Sequence, residues 1–74
     1  MNGIISKAAL EARRARYTPG SRVELVSMTD PFTKLVPGTQ GKVLFVDDIG
    51  TVHIAWDNGS TLGAAYSEDH IKLV

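Results

Sequence analysis

Gly41-Lys42-Val43-Leu44-Phe45-Val46-Asp47-Asp48-Ile49-Gly50-Thr51-Val52-His53-Ile54-Ala55-Trp56-Asp57-Asn58-Gly59-Ser60-Thr61-Leu62 holds two runs of β-formers, each closed by turn chemistry, and reads as three consecutive antiparallel strands. Asn58-Gly59 is the stronger junction. A two-residue type I′ hairpin needs positive φ at both central positions, and Asn followed by Gly tolerates that best. Asp47-Asp48-Ile49-Gly50 suits a type I turn followed by a left-handed residue, the place of Gly50. Val43 and Phe45 share parity, as do Val52, Ile54 and Trp56, and together with Leu62 they form the expected core. So tight a meander in so short a chain predicts a small barrel.

The flanking segments extend that reading. Ser60 to Ala65 completes the third strand of the meander. Arg22 to Met28 predicts an earlier strand, with Val23 and Leu25 pointing inward and Val26 or Met28 lying under a loop or the helix. Thr29 to Thr39 lacks strand periodicity and contains Asp30-Pro31 and Pro37-Gly38. It reads as a long folded-over loop, a kind of connection that often carries recognition when mounted on a rigid scaffold. Tyr66-Ser67-Glu68-Asp69 has turn or 3₁₀ character, and His70 to Val74 closes the sheet with Ile71 and Leu73 inward. Five strands, a long first connection and a turn before the last strand describe a mainly β, SH3-like barrel. An OB-like barrel usually needs more residues.

Ahead of the barrel, residues 4 to about 16 favour helix, with Ser6 as the N-cap and Thr18-Pro19-Gly20 as the stop. Ile5, Ala9, Ala12 and Arg16 share one face, a stripe of small residues without large anchors, so Tyr17 and Leu10 are the expected larger contacts to the barrel. The organisation is therefore a basic N-terminal helix over 1–17 and an SH3-like barrel over 18–74.

The chain has 74 residues, room for one domain with thin stability. With 43% hydrophobic residues, 22% charged residues and no formal net charge, neither disorder nor polyanion binding by the whole domain is favoured. It has no cysteine, which excludes disulfides and thiolate metal sites and fits a reducing cytosol. Apolar runs are short and the N-terminus lacks a secretion-type h-region, so the expected setting is cytoplasmic, with no membrane partner.

Charge is unevenly spread. Residues 1–22 carry Lys7, Arg13, Arg14, Arg16 and Arg22 against Glu11 alone, while the remainder is acidic, an imbalance of roughly +4 against −4. Such a helix can bind an external anion, complement the acidic barrel of its own or a neighbouring chain, or simply be solvated.

Catalytic chemistry finds little support. Asp47 and Asp48 are adjacent, but neighbouring side chains diverge in a turn, so they read as turn caps and not as an acid/base pair. His53 and His70 have no metal-ligand spacing, the serines lie in no nucleophile elbow, and the glycines punctuate turns without forming a phosphate loop. No enzyme, metal or cofactor is expected. Trp56, on the Val52/Ile54 face, reads as core. Phe32 and Tyr66, on loop and turn segments, are candidate surface contacts, and Asp30, Thr33 and Lys34 are candidates to frame a polar recognition site in the long loop. Lys7, Arg13, Arg14 and Arg16 are the candidate anion-binding set.

Arg16-Tyr17-x-Pro19-Gly20-x-Arg22-Val23-Glu24-Leu25-Val26-x-Met28-x-Asp30-Pro31, then Pro37-Gly38-Thr39-x-Gly41, Val46-Asp47-Asp48-x-Gly50-Thr51-Val52-His53 and Trp56-Asp57-Asn58-Gly59-Ser60-x-Leu62-Gly63, resemble a family of small bacterial, phage and conjugative-element proteins catalogued as a domain of unknown function. The segment after Leu62-Gly63 departs from that pattern. Gly41 to Gly59 also resembles, more weakly, the Mind-bomb/HERC-type SH3-like repeat. The first resemblance implies the fold and a mobile-element setting but no catalytic residue. The expected function is a non-enzymatic binding module that engages a host or element-encoded protein through the long loop and the barrel rim, in such a setting as an inhibitor of host defence. Two alternatives are nucleic-acid binding through the basic helix and capture of a small anionic ligand, such as a signalling nucleotide, by a homo-oligomer with the arginines as clamps.

Overall fold

The computed structural model describes residues 4–29 and 35–74. Its elements are α1 (Lys7–Arg16), β1 (Arg22–Ser27), β2 (Gln40–Val46), β3 (Val52–Trp56) and β4 (His70–Leu73). All neighbouring strands pair antiparallel, in the order β3-β2-β1-β4. The protein is thus mainly β, a short helix on a four-stranded open sheet, where the sequence predicts a closed five-stranded barrel. Among the described residues no helix is long and apolar enough to cross a membrane.

The missing strand is Ser60 to Ala65, and its loss has a local cause. Its two ends follow β3 as a hairpin partner should: the Trp56 N–H donates to the Ser60 carbonyl at 2.9 Å, and Val52 and Ala64 exchange two backbone bonds of 2.9 Å each. Between them the ladder fails. The buried Trp56 indole N–H must find an acceptor, and it takes the Leu62 carbonyl at 2.7 Å, while the Leu62 N–H donates to Ser60 Oγ at 3.3 Å. With both backbone groups of Leu62 engaged by side chains, the segment makes backbone hydrogen bonds to β3 only at its ends.

Both tight turns share one geometry. Gly50 N–H donates to the Asp47 carbonyl and Asp47 N–H to the Thr51 carbonyl, at 3.1 and 3.0 Å. Gly59 N–H likewise donates to the Trp56 carbonyl at 2.9 Å, closing the second turn. Gly50 and Gly59 sit at φ +85° and +92°, whereas Asn58 does not have positive φ. The expected type I′ hairpin at Asn58-Gly59 is therefore a type I turn with a left-handed glycine after it, like the first. Asn58 earns its place through its side chain, whose Oδ1 accepts from the Ser60 N–H at 2.9 Å.

Parity breaks once in β2. Val43 lies opposite Ile54, but Phe45 lies opposite His53, so one extra residue, Leu44, is inserted as a bulge. The bulge turns Phe45 outward, 50% exposed, and brings Val46 into the core in its place. Phe45 is thus not the core residue that simple alternation predicts. A second bulge at Val26, between Leu25 and Ser27 in β1, lets Leu25 and the later Met28 both meet the core while Val26 stays exposed. Leu73 also departs from its expected inward place, being exposed on β4, and Ile71 alone of that pair packs on the core. Tyr17, Val23, Leu25, Leu35, Val43, Val46, Val52, Ile54, Trp56 and Ala64 form that core.

Helix α1 starts where Ser6 Oγ accepts from the Ala9 N–H at 3.1 Å, and its last turn holds Arg13, Arg14 and Arg16 near the negative end of the helix dipole. The face turned to the sheet is Ile5, Ala9, Leu10, Arg13 and Tyr17; Ala12 and Arg16, expected on that face, are exposed.

Candidate binding surface

The bulge, the end of α1 and the connection to β1 meet at one corner. Arg14, Tyr17, Pro19, Phe45 and Val46 line an open cleft of about 230 Å³ there. Each wall has its own cause. Tyr17, at the helix C-cap, is held at 6% exposure with its hydroxyl donating to the Ile71 carbonyl at 3.4 Å, so it forms a rigid floor. Phe45 stands on the rim because the bulge rotates it out, and its ring lies flat on His53, with centroids 4.3 Å apart and planes 9° from parallel. Leu44, the inserted residue, is itself 42% exposed.

Polar contacts hold this platform still. His53 Nε2 meets Asp47 Oδ2 at 2.8 Å, and Asp47 Oδ1 accepts from the Ile49 and Thr51 N–H groups at 3.1 and 2.9 Å. Burial pushes the Asp47 carboxyl up, but the hydrogen bonds from His53, Thr51 and Ile49 outweigh it and hold the group below its ordinary value. One carboxylate therefore ties the β2–β3 turn to the ring on which Phe45 rests. Asp48 faces the other way and takes Arg14 at 2.8 Å. The arrangement is a half-exposed aromatic on a fixed support beside a shallow cleft, with cationic and anionic groups around it.

Of the four cations expected to bind an external anion, Arg13 is half-buried and Lys7, Arg14 and Arg16 are exposed, and Arg13 and Arg14 bond to carbonyl or carboxylate groups of this chain. Arg13 Nε donates to the Gly50 carbonyl at 2.6 Å, and its guanidinium lies 5.4 Å from the Tyr17 ring centroid and 5.5 Å from that of Tyr66. Arg14 reaches the Val46 carbonyl at 3.4 Å as well as Asp48. Arg16 and Lys7 are exposed, Arg16 with its guanidinium over Tyr17. Elsewhere Arg22 forms a two-pronged pair with Asp57, at 3.0 and 2.5 Å, which lowers the Asp57 carboxyl, and Lys72 meets Glu24 at 3.4 Å. Much of the charge asymmetry is thus answered within the chain.

Tyr66 is half-buried beside Gly50 and Arg13, part of the seat of the helix. Asp30, Phe32, Thr33 and Lys34, the long-loop candidates, lie outside the described residues. The sequence reading missed Phe45 and Leu44 as surface residues, because no local signal marks the bulge, and missed Arg13 as a clamp, because its acceptor is 37 positions away in the chain.

Residues 6–74, from the N-cap of α1 through β4, match the family model described as a domain of unknown function, DUF4314. The chain belongs to this family. The match spans both the helix and the sheet of this DUF4314 domain, so α1 is part of the family's unit and not an appendage to it. No curated protein and no solved structure matches the chain.

Proposed function

We propose that this domain is a non-enzymatic binding module that engages a protein partner through the Leu44–Phe45 bulge and the adjoining cleft. One observation carries the reading: a large aromatic is rotated out of a small core by a bulge and held half-exposed on a histidine ring that a carboxylate anchors. A 74-residue domain has few large side chains with which to build its core, so exposing Phe45 has a cost that a contact surface would offset. A host or element-encoded protein is the partner class that the mobile-element resemblance implies, and inhibition of a host defence component is one form such engagement takes. Binding of a nucleic acid or an anionic nucleotide is the weaker reading, because Arg13 and Arg14 are committed to this chain's own carbonyls and to Asp48.

Affinity capture with the wild-type domain and with Phe45→Ala tests this. The exposed ring leaves the fold largely intact when truncated, so a partner retained by wild type is lost by the variant. Equal recovery by both removes Phe45 from the interface.

A further inference from the structure

We propose that α1 is a releasable strap, a unit that leaves the sheet and unfolds while β1 to β4 stay folded, opening the helix-side wall of the cleft as it goes. The inference concerns the chain alone and holds whatever partner the cleft takes. No residue of α1 is buried. What fastens the helix is instead a small set of contacts. Leu10 packs partly on the core, Ile5 lies over Gly50, Arg13 hooks the Gly50 carbonyl at 2.6 Å, and Arg14 pairs with the exposed Asp48 at 2.8 Å. The core closes over Val46, Val52 and Ala64 using sheet and connection residues, with Tyr17, just beyond the helix, the sole aromatic it takes from this end of the chain.

Intrinsic stability does not hold the helix either. Its ten residues lie below the length at which isolated helices persist in water, so α1 exists as long as it is docked. An element with little buried apolar surface and polar fastenings belongs to the low-stability end of a protein's opening spectrum. The hinge is also placed for it. The chain parts between Arg16 and Tyr17, whose ring stays in the core, and beyond it Gly20 N–H donates to the Val43 carbonyl and Val43 N–H to the Ser21 carbonyl, each at 2.8 Å, which anchors the chain to β2 independently of α1. Opening exposes two carbonyls, Gly50 and Ala64, beside the Tyr66 ring, and it removes Arg14 from the cleft.

Native-state amide exchange on the whole domain tests the strap. The hydrogen-bonded amides of Leu10 and Tyr17 are compared with those of the strand residues Leu25, Val43 and Trp56, which donate to the Thr39, Ser21 and Ser60 carbonyls. We expect the α1 amides to exchange at least about tenfold faster, and Arg13→Ala to accelerate them further while the sheet amides change by less than about twofold. Exchange of α1 and sheet amides at one common protection would overturn the proposal. So would equal acceleration of both by Arg13→Ala, or failure of that variant to fold, since each makes the docked helix part of the global unit.

Discussion

Gly50→Ala and Gly59→Ala form a matched pair, because the two glycines occupy the same kind of turn with φ of +85° and +92° but different surroundings. A Cβ at Gly59 meets nothing within 4 Å, whereas at Gly50 it would lie 2.8 Å from Ile5 Cδ1 and 3.2 Å from Tyr66 Cβ. The backbone term is common to both, about 1–2 kcal/mol for forcing alanine into the left-handed region. Reduced freedom of the unfolded chain returns about 0.4–1 kcal/mol in each case. Only Gly50 adds a steric term. Ile5 is the flexible end of a side chain and yields, but Tyr66 Cβ is close to backbone, so about 1–2 kcal/mol of overpacking is expected. Gly59→Ala is therefore expected to cost about 1 kcal/mol and Gly50→Ala about 2–3 kcal/mol. Urea unfolding followed by the buried Trp56 reads both, and each kcal/mol corresponds to about 4–8 °C in Tm for a domain of this size. Equal costs, or a larger cost at Gly59, would refute the close packing of Tyr66 on the Gly50 turn.

Further outcomes follow from single contacts. Trp56→Phe leaves the Leu62 carbonyl without its indole donor and is expected to cost about 1–3 kcal/mol by circular dichroism in urea, and to loosen Ser60 to Gly63 before the sheet. Arg14→Ala removes an exposed ion pair and is expected to cost less than about 1 kcal/mol, read as the urea midpoint, with the difference shrinking at high salt. Asp47 is held below its ordinary value in the folded state, so its contribution is complete above the unfolded-state pKa and disappears as pH falls through the lower folded value. Urea midpoints taken downward from pH 7 are expected to show an acid slope below about pH 4 that Asp47→Asn reduces.

What the sequence discloses here is its local chemistry. The Ser6 cap, the Asp47–Gly50 turn, the inward Val23 and Leu25 and the closing strand at His70 all follow from residue types within a few positions of one another. The failures are of another kind. One extra residue in β2 reverses parity, so Phe45 and Val46 exchange places although each suits either face. The strand expected over Ser60 to Ala65 depends on whether the Leu62 carbonyl faces β3 or the Trp56 indole, a competition settled only once the tryptophan is packed. Arg13 looks like a surface cation in the sequence and becomes a clamp because folding brings Gly50 and two tyrosines around it. The candidate surface was legible to the same limited extent. A rim role for aromatics can be read, but which aromatic stands on the rim is a consequence of the bulge.

The central claim is where this domain makes contact, and amide chemical-shift mapping with a captured partner tests it most directly. Perturbations are expected to centre on Leu44, Phe45 and His53 and to extend to Arg14 and Tyr17 across the cleft. Perturbations confined to β4 or to the outer face of α1, with Phe45 and His53 unmoved, would contradict it.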